Sequence, residues 1–386
     1  MSSSRIFAAL LLLLMLCAPG CYAQLGKSVM IPAGSEADHQ LTAINAADPS
    51  QKLALIDTFS KAFPEGEYQI VADEQYVNYY INAKQYDKAF EYGDKLFAID
   101  PDNYTNAVNM VRAAAEKGDL DKLYPYGEKA NSILTNYKNS PAPSGTSAED
   151  WTRAKTERLN ALKDDQDYVR EALFRSAYNA TDPAKKADYF LRFAKMYPDT
   201  HEGEQALTIA ASSYQAAQNR AKMQEIANGA LAKDPNNIGM LLLLADDYAE
   251  KGDGLDKAET YAKKAGSLVD TAKKPDDVSD EQWAAESAIQ KGLAFSTLGQ
   301  VNLQRKQNTQ AVDNLNKAAP LLKSNAILYA RNEYRLGFAY VNLKRNADAT
   351  KAFTEAASVD TPYKAPAEQK LAELGNAKPT HKKKAS

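Results

Sequence analysis

The chain has 386 residues and a formal charge of −3 from 47 basic and 50 acidic side chains. That balance excludes a protein built to coat nucleic acid, which needs a large basic excess to displace counterions from phosphate. Both cysteines, Cys17 and Cys21, fall within the first 23 residues, so the rest of the chain has no thiol for a disulfide, a nucleophile or a metal ligand.

Residues 1–23 read as a secretory signal peptide. Arg5 supplies the positive start, and Ile6 to Leu16 is an apolar run too short to serve as a mature membrane span. Cys21-Tyr22-Ala23 puts small residues at the −3 and −1 positions, predicting cleavage before Gln24. Loss of Arg5 with that segment takes the charge one unit lower, to −4. Lipid attachment at Cys21 is less favoured, because such sites normally carry leucine at −3 and disfavour proline at −2, where Ala18-Pro19-Gly20 stands. Cys17 is poorer still, with Leu16 where a small residue is needed. The expectation is an exported chain, periplasmic or secreted, with no transmembrane segment after maturation.

From residue 36 onward the spacing predicts helix-turn-helix pairs. The first, 36–64, carries Ala46-Ala47-Asp48-Pro49…Lys52…Phe59…Lys61…Pro64, with Asp-Pro in the turn, where proline pre-sets the next helix. The second, 70–103, carries Tyr76, Tyr80, Ala89 and Ile99-Asp100-Pro101; the third, 104–135, keeps the turn from Glu116 to Asp121. These form a first group, 24–135. Pro141, Pro143 and Gly145 then mark a linker, and a charged helix containing Trp151 completes 136–166. A second group, 167–270, holds pairs 167–199, 201–236 and 238–270. Its opening phrase, Ala180-Thr181-Asp182-Pro183…Lys186…Phe193…Lys195…Pro198, repeats the first pair at an offset of 134 residues. Residues 271–291 read as a second linker and extra helix, with Ser279 as the N-cap before Glu281-Gln282-Trp283; such an insertion either lengthens its neighbour or hinges the array. Pairs 292–323 and 329–362 follow, then a capping helix, 363–375, and a basic, disordered tail, 376–386.

The last pair reads Leu336-Gly337-x2-Tyr340, Ala349-x3-Phe353, Pro362, nearly the full tetratricopeptide pattern L-G-x2-Y…A-x3-F…P. Residues 36–362 therefore resemble a tetratricopeptide repeat protein, most strongly in the last pair and in 70–103. The resemblance implies an all-α, right-handed superhelical solenoid in which Gly and Ala let paired helices approach and large residues fill the gap to the next pair. No pair can bury its apolar face alone, so stability comes from stacking. The export signal and the Phe193…Tyr197-Pro198-Asp199-Thr200 phrase loosely resemble exported envelope members of bacteria.

In that family the first helix of each pair lines a concave groove, with positions 2, 5, 6, 9, 12 and 13 facing it. The resemblance thus implies one partner-binding surface at Asn78, Asn82, Asn109 and Arg112, and a more aromatic one at Tyr334, Arg335, Phe338 and Asn342. Asparagine both donates and accepts, so a ladder of them can grip the backbone of an extended peptide, while Arg112 can take a carboxylate. The paired lysines of the family's carboxylate clamp are missing. Trp151 and Trp283, both outside the repeats, either pin the inserted helices or offer stacking faces.

Catalytic groupings are not found. His39, His201 and His381 have no partner at metal-ligand spacing, and His201-Glu202-Gly203-Glu204 reads as the entry to a helix. Gly252-Asp253-Gly254 lacks the remainder of a phosphate loop, and Asp246-Asp247 and Asp164-Asp165 read as solvated helix faces. The expected function is a non-catalytic scaffold of the cell envelope that docks a peptide or partner protein, with no cofactor, metal or nucleic acid. The tail lysines, Lys378 and Lys382 to Lys384, add a weak envelope association. The alternative is a carbohydrate- or cell-wall-binding accessory protein using the tryptophans and the tyrosine-rich helices.

Overall fold

A computed structural model of the protein describes residues 25–276 and 278–376. The expected signal peptide, with Cys17 and Cys21, and residues 377–386 of the expected tail, with His381, lie outside the described residues. Among the described residues there are eighteen helices and no strand. They fall into two compact units, divided after Asn179.

The first unit holds α1 (Glu36–Ala46), α2 (Pro49–Ala62), α3 (Tyr68–Asn82), α4 (Tyr86–Ile99), α5 (Tyr104–Lys117), α6 (Leu120–Asn139), α7 (Ala148–Ala161) and α8 (Lys163–Tyr178). Side chains of Ser35, Asn103, Asp119 and Ser147 accept a hydrogen bond from the backbone N–H three residues on, capping α1, α5, α6 and α7. From α1 through α6 consecutive helices pack on one another, α8 packs on α5, α6 and α7, and α3 also meets α5. Ile44, Ile56, Phe59, Tyr104 and Tyr124 are fully buried, each contributing about 1.5–3 kcal/mol over exposure. Gly93 leaves room for Met110, and Gly127 for Leu173, whose methyls stand 2.8 Å from where a Cβ would be. The segment entering the unit is tied down as well. Tyr104 N–H donates to the Leu25 carbonyl at 3.0 Å, and Lys27 N–H to Asp100 Oδ2 at 2.9 Å. Trp151 is 6% exposed, donates from Nε1 to the Ser140 carbonyl at 3.0 Å, and meets Tyr137 edge-on at 5.7 Å. It pins α7.

The second unit runs α9 (Pro183–Met196), α10 (His201–Ala216), α11 (Arg220–Lys233), α12 (Ile238–Lys251), α13 (Leu255–Thr271), α14 (Asp280–Gln304), α15 (Asn308–Leu322), α16 (Ala326–Asn342), α17 (Asn346–Ala357) and α18 (Lys364–Asn376). Here α10/α11, α12/α13, α14/α15 and α16/α17 pair, α9 packs on α10, and α18 covers α17 through Ala367. The repeats are tetratricopeptide-type. A Cβ on Gly337 would lie 2.5 Å from the Phe353 ring, and one on Gly299 2.5 Å from Leu315, so the small residue of one helix seats the large residue of its partner.

Within the first unit α8 packs on α5 and α6, where Leu173 fills the Gly127 notch, and within the second α9 packs on α10. Of the two outcomes expected for the 271–291 insertion, the extra helix lengthens its neighbour. Ser279 closes a capping box with Gln282, and one 25-residue helix, α14, then runs unbroken into the expected 292–323 pair. The reason is local, since residues 280–291 contain neither proline nor glycine and include three alanines.

The turns inside the pairs share one geometry. Lys84, Gly118, Gln218, Gly252, Lys306 and Lys344 all take positive φ, between 55° and 73°, just past the first helix of a pair. Except after Gly252, the next residue's N–H returns to a carbonyl five residues back, as Arg345 does to Tyr340 at 2.9 Å.

Candidate functional site

In the second unit the first helices of successive pairs, α10, α12, α14 and α16, lie side by side. Their shared face bounds an open cavity of about 940 Å³. Apolar side chains make its walls: Ile209 from α10, Leu242 and Leu243 from α12, Trp283, Ile289 and Leu293 from α14. Pro275 and Val278, in the segment before α14, close one side. At the rim His201 Nε2 lies 3.1 Å from Glu286 Oε2, which also accepts from Gln205 at 3.2 Å, joining α10 to α14.

The floor is charged. Arg331 Nη1 donates to Asp246 Oδ2 at 2.7 Å, and Arg335 Nη2 to Asp246 Oδ1 at 3.0 Å. Arg335 also pairs with Glu250 and donates to Ser296 Oγ at 3.1 Å. Burial alone would raise the Asp246 carboxyl, but the two guanidiniums outweigh it and hold it down at about 2. The reading of Asp246-Asp247 as a solvated pair is therefore corrected. Asp247 is 2% exposed and takes Arg220, which reaches on to Asp253 at 2.7 Å. Alternation along α12 turns one carboxylate to the groove floor and the other to the α11 side, and each meets arginine.

Arg331 also borders a second cavity, of about 340 Å³. All four residues expected at the last pair, Tyr334, Arg335, Phe338 and Asn342, line it, together with Glu250 and Tyr363. Tyr334 meets Phe338 edge-on at 5.0 Å, and Phe338 meets Phe353 at 5.5 Å, so these rings are anchored in the repeat core. Arg335 is 5% exposed and its guanidinium is committed to Asp246, Glu250 and Ser296, which makes it a buried strut of the cavity wall. On the same helix, burial pushes the Glu333 carboxyl up to about 7; the Asn332 amide at 3.5 Å counters this, and Glu355 adds to it.

In the first unit, Asn109 Nδ2 donates to Asn78 Oδ1 at 3.4 Å, bringing α3 and α5 together, and Asn82 is exposed at the end of α3. The Arg112 guanidinium stacks over the Tyr168 ring of α8 at 5.2 Å. These four residues do fall on the first helices of adjacent pairs, but three of them are occupied with their neighbours.

The large groove was not anticipated, although a signal for it was present. The rule that picked Asn78 and Asn109, applied to the pairs at 201 and 238, selects twelve residues, of which eight line the cavity: Glu202, Gln205, Ile209, Ser212, Gly239, Leu242, Leu243 and Asp246. Of the two tryptophans, Trp151 pins its helix, whereas the Trp283 indole lines the groove. Among the described residues no cluster of three or more His, Cys, Asp or Glu could hold a metal ion, and no helix is long and apolar enough to cross a membrane.

No protein-family model matches the chain, and no curated protein matches it. Among solved structures, the chain is similar to a chain of the APC/C hetero-tetramer Cut9–Hcn1, at 14% identity, 88% coverage of this chain and a TM-score of 0.39. It spans 62% of that chain's length. It is also similar to NprR in complex with its cognate peptide NprX, at 14% identity, covering 90% of this chain and 84% of that one, with a TM-score of 0.32. A third is yeast Sti1 in its complex with pHSP90, at 15% identity, 80% and 98% coverage and a TM-score of 0.24. At such scores the likenesses carry nothing further, and the repeat fold rests on the helix pairs themselves.

Proposed function

We propose that the protein is a non-catalytic scaffold that holds an extended segment of a partner protein in the groove of its second unit. The observation that carries this reading is the 940 Å³ cavity, walled by side chains of three repeat helices and floored by a fixed ion network. Because these walls belong to packed helices, the groove is pre-formed, and docking orders the partner far more than the scaffold. Apolar side chains of the segment would enter between Ile209, Leu242 and Ile289, while Gln205, Asn236 and Gln282 meet its backbone. Asn78, Asn82, Asn109 and Arg112 of the first unit, and the smaller cavity at Tyr334, Arg335, Phe338 and Asn342, are proposed as accessory contact surfaces.

A location outside the cytoplasm follows from the signal-peptide reading of residues 1–23, and a chain without cysteine after Cys21 needs no disulfide there. A weak envelope association through the basic tail belongs to the same reading. The alternative, carbohydrate binding through the tryptophans and the tyrosine-rich helices, loses one stacking face, because Trp151 is buried against Tyr137 of α6.

A photo-reactive residue installed at Trp283 tests the assignment in extract from the native cell envelope. The expected product is a polypeptide adduct whose yield falls about ten-fold when Ile209→Glu puts a carboxylate in the apolar wall, a change of about 1.4 kcal/mol. An adduct with glycan alone would transfer the groove to the carbohydrate reading. An adduct indifferent to Ile209→Glu would remove the groove from the function.

A further inference from the structure

We infer that the second unit's groove selects cationic segments, in which aliphatic or aromatic side chains alternate with lysine or arginine. The inference rests on the peptide-docking reading above and adds the chemistry of the partner. Two independent features point to it.

The first is charge. Around the apolar walls the lining includes the carboxylates of Glu204, Asp234 and Glu286, the last beside the His201 imidazole at 3.1 Å, against Lys273. Arg331, the other lining cation, is already matched by Asp246 at 2.7 Å on the floor. A segment entering this rim with lysines or arginines gains attraction from carboxylates flanking a low-dielectric wall. A segment bearing carboxylates meets repulsion, which discriminates more sharply than the attraction does. This is opposite in sign to a clamp built to take a carboxylate.

The second is the indole. Trp151 has its ring filled, by Tyr137 at 5.7 Å and by the Lys155 ammonium at 5.4 Å. Trp283 lines the groove, and its ring has no aromatic or cationic partner among the described residues. Tryptophan is the strongest cation-binding ring for an ammonium or guanidinium that sits over its face. Glu286 is one turn along α14 from Trp283, so a cation on the indole is also within the field of a carboxylate. Both residues come from the 271–291 insertion, as do the Pro275 and Val278 that close the side of the groove. The selectivity therefore resides in what the insertion adds to the repeats.

The test uses the chain's two tryptophans. In a Trp151→Phe variant the only indole fluorescence is that of Trp283. Three capped peptides are titrated, in which leucine alternates with lysine, with glutamine or with glutamate. The expected result is a shift in Trp283 emission, with the lysine peptide bound about ten-fold or more tighter than the glutamate peptide in dilute salt. The preference should shrink as salt is raised, because rim charges are screened. The triple variant Glu204→Gln, Asp234→Asn, Glu286→Gln, isosteric at each position, should bring the lysine and glutamine peptides to within about two-fold of each other. Calorimetry on the unaltered chain must give the same ranking, which guards against a folding defect from the Trp151 substitution. Equal affinity for lysine and glutamate peptides, with Trp283 still responding, would overturn the selectivity and leave the docking groove standing. Binding heat without any response from Trp283 would move the site elsewhere and overturn the selectivity, and no binding by any of the three would overturn both.

Discussion

The two units are built from the same helix pairs, yet their inner faces differ in what is left to offer a partner. On the first, α3, α5 and α8 satisfy one another: Asn78 with Asn109, Arg112 with Tyr168. On the second, α10, α12, α14 and α16 stand around a cavity, and their charges are paired below its floor. The comparison teaches that what a repeat face has left to offer depends on where its polar groups find their partners. Paired across the face, they are spent on one another; paired beneath it, they leave the face to a partner.

The sharpest way to break that comparison is to remove the floor. Arg335→Ala strips Asp246 and Glu250 of a buried partner and is expected to destabilise the second unit by about 3–5 kcal/mol. Arg112→Ala, which loses only a partly exposed stacking contact, should cost the first unit under about 1 kcal/mol. Urea unfolding followed through Trp283 in a Trp151→Phe background reads the second unit, and Trp151 in a Trp283→Phe background reads the first. Equal displacement of both reporters by Arg335→Ala would mean that the units do not melt separately.

A smaller effect comes from Glu333. Its carboxyl titrates at about 7 in the folded chain against 4.5 as the unperturbed value. Below the lower value both states hold the proton. Between the two, the unfolded chain ionises first, so stability falls as pH rises, by about 3 kcal/mol in all. Glu333→Gln should flatten this decline, seen as a urea midpoint on Trp283 that no longer drops between pH 5 and pH 8. Asp246 does not interfere in that window, because its low value confines its own contribution to acid. A decline unchanged in Glu333→Gln would show that another group carries it.

The smallest effect should be the same in both units. Lys84 and Lys344 hold positive φ in equivalent turns, a conformation that costs a side chain about 1 kcal/mol and glycine nothing. Lys84→Gly and Lys344→Gly should each raise the midpoint of their own unit by up to that amount. A gain in one unit only would mean that the turns are equivalent in shape alone.

Much of this fold is legible in the chain because its determinants are local. Gly337 and Phe353 must meet for a pair to close, and Ser35, Asn103 and Asp119 announce helix starts within three residues of the amide each one caps. The division after Asn179 is not local. Ala46-Ala47-Asp48-Pro49 and Ala180-Thr181-Asp182-Pro183 read alike, but the first lies inside the first unit and the second opens the second unit. The difference lies in what Leu173 packs against, and Gly127 is 46 residues away from it in sequence. The sites divide the same way. Tyr334, Phe338 and Asn342 share a helix face, so periodicity brings them together, and they line one cavity. The partners of Asp246 lie 85 and 89 residues further on, and no spacing rule connects them. Trp283 depends on local sequence again: of the two outcomes open to the insertion, a lengthened neighbour or a hinge, residues 280–291 without proline or glycine give the lengthened helix.

That unbroken α14 has a mechanical consequence. At about 1.5 Å per residue its 25 residues make a rod of roughly 37 Å, with no hinge along it. Its first three turns are groove wall, and its last three are the spine of a repeat, where Gly299 clasps Leu315. A load placed on Trp283 therefore acts as torque on a lever whose far arm is set in the masonry of the array. The wall can yield only if the repeat beneath it yields too.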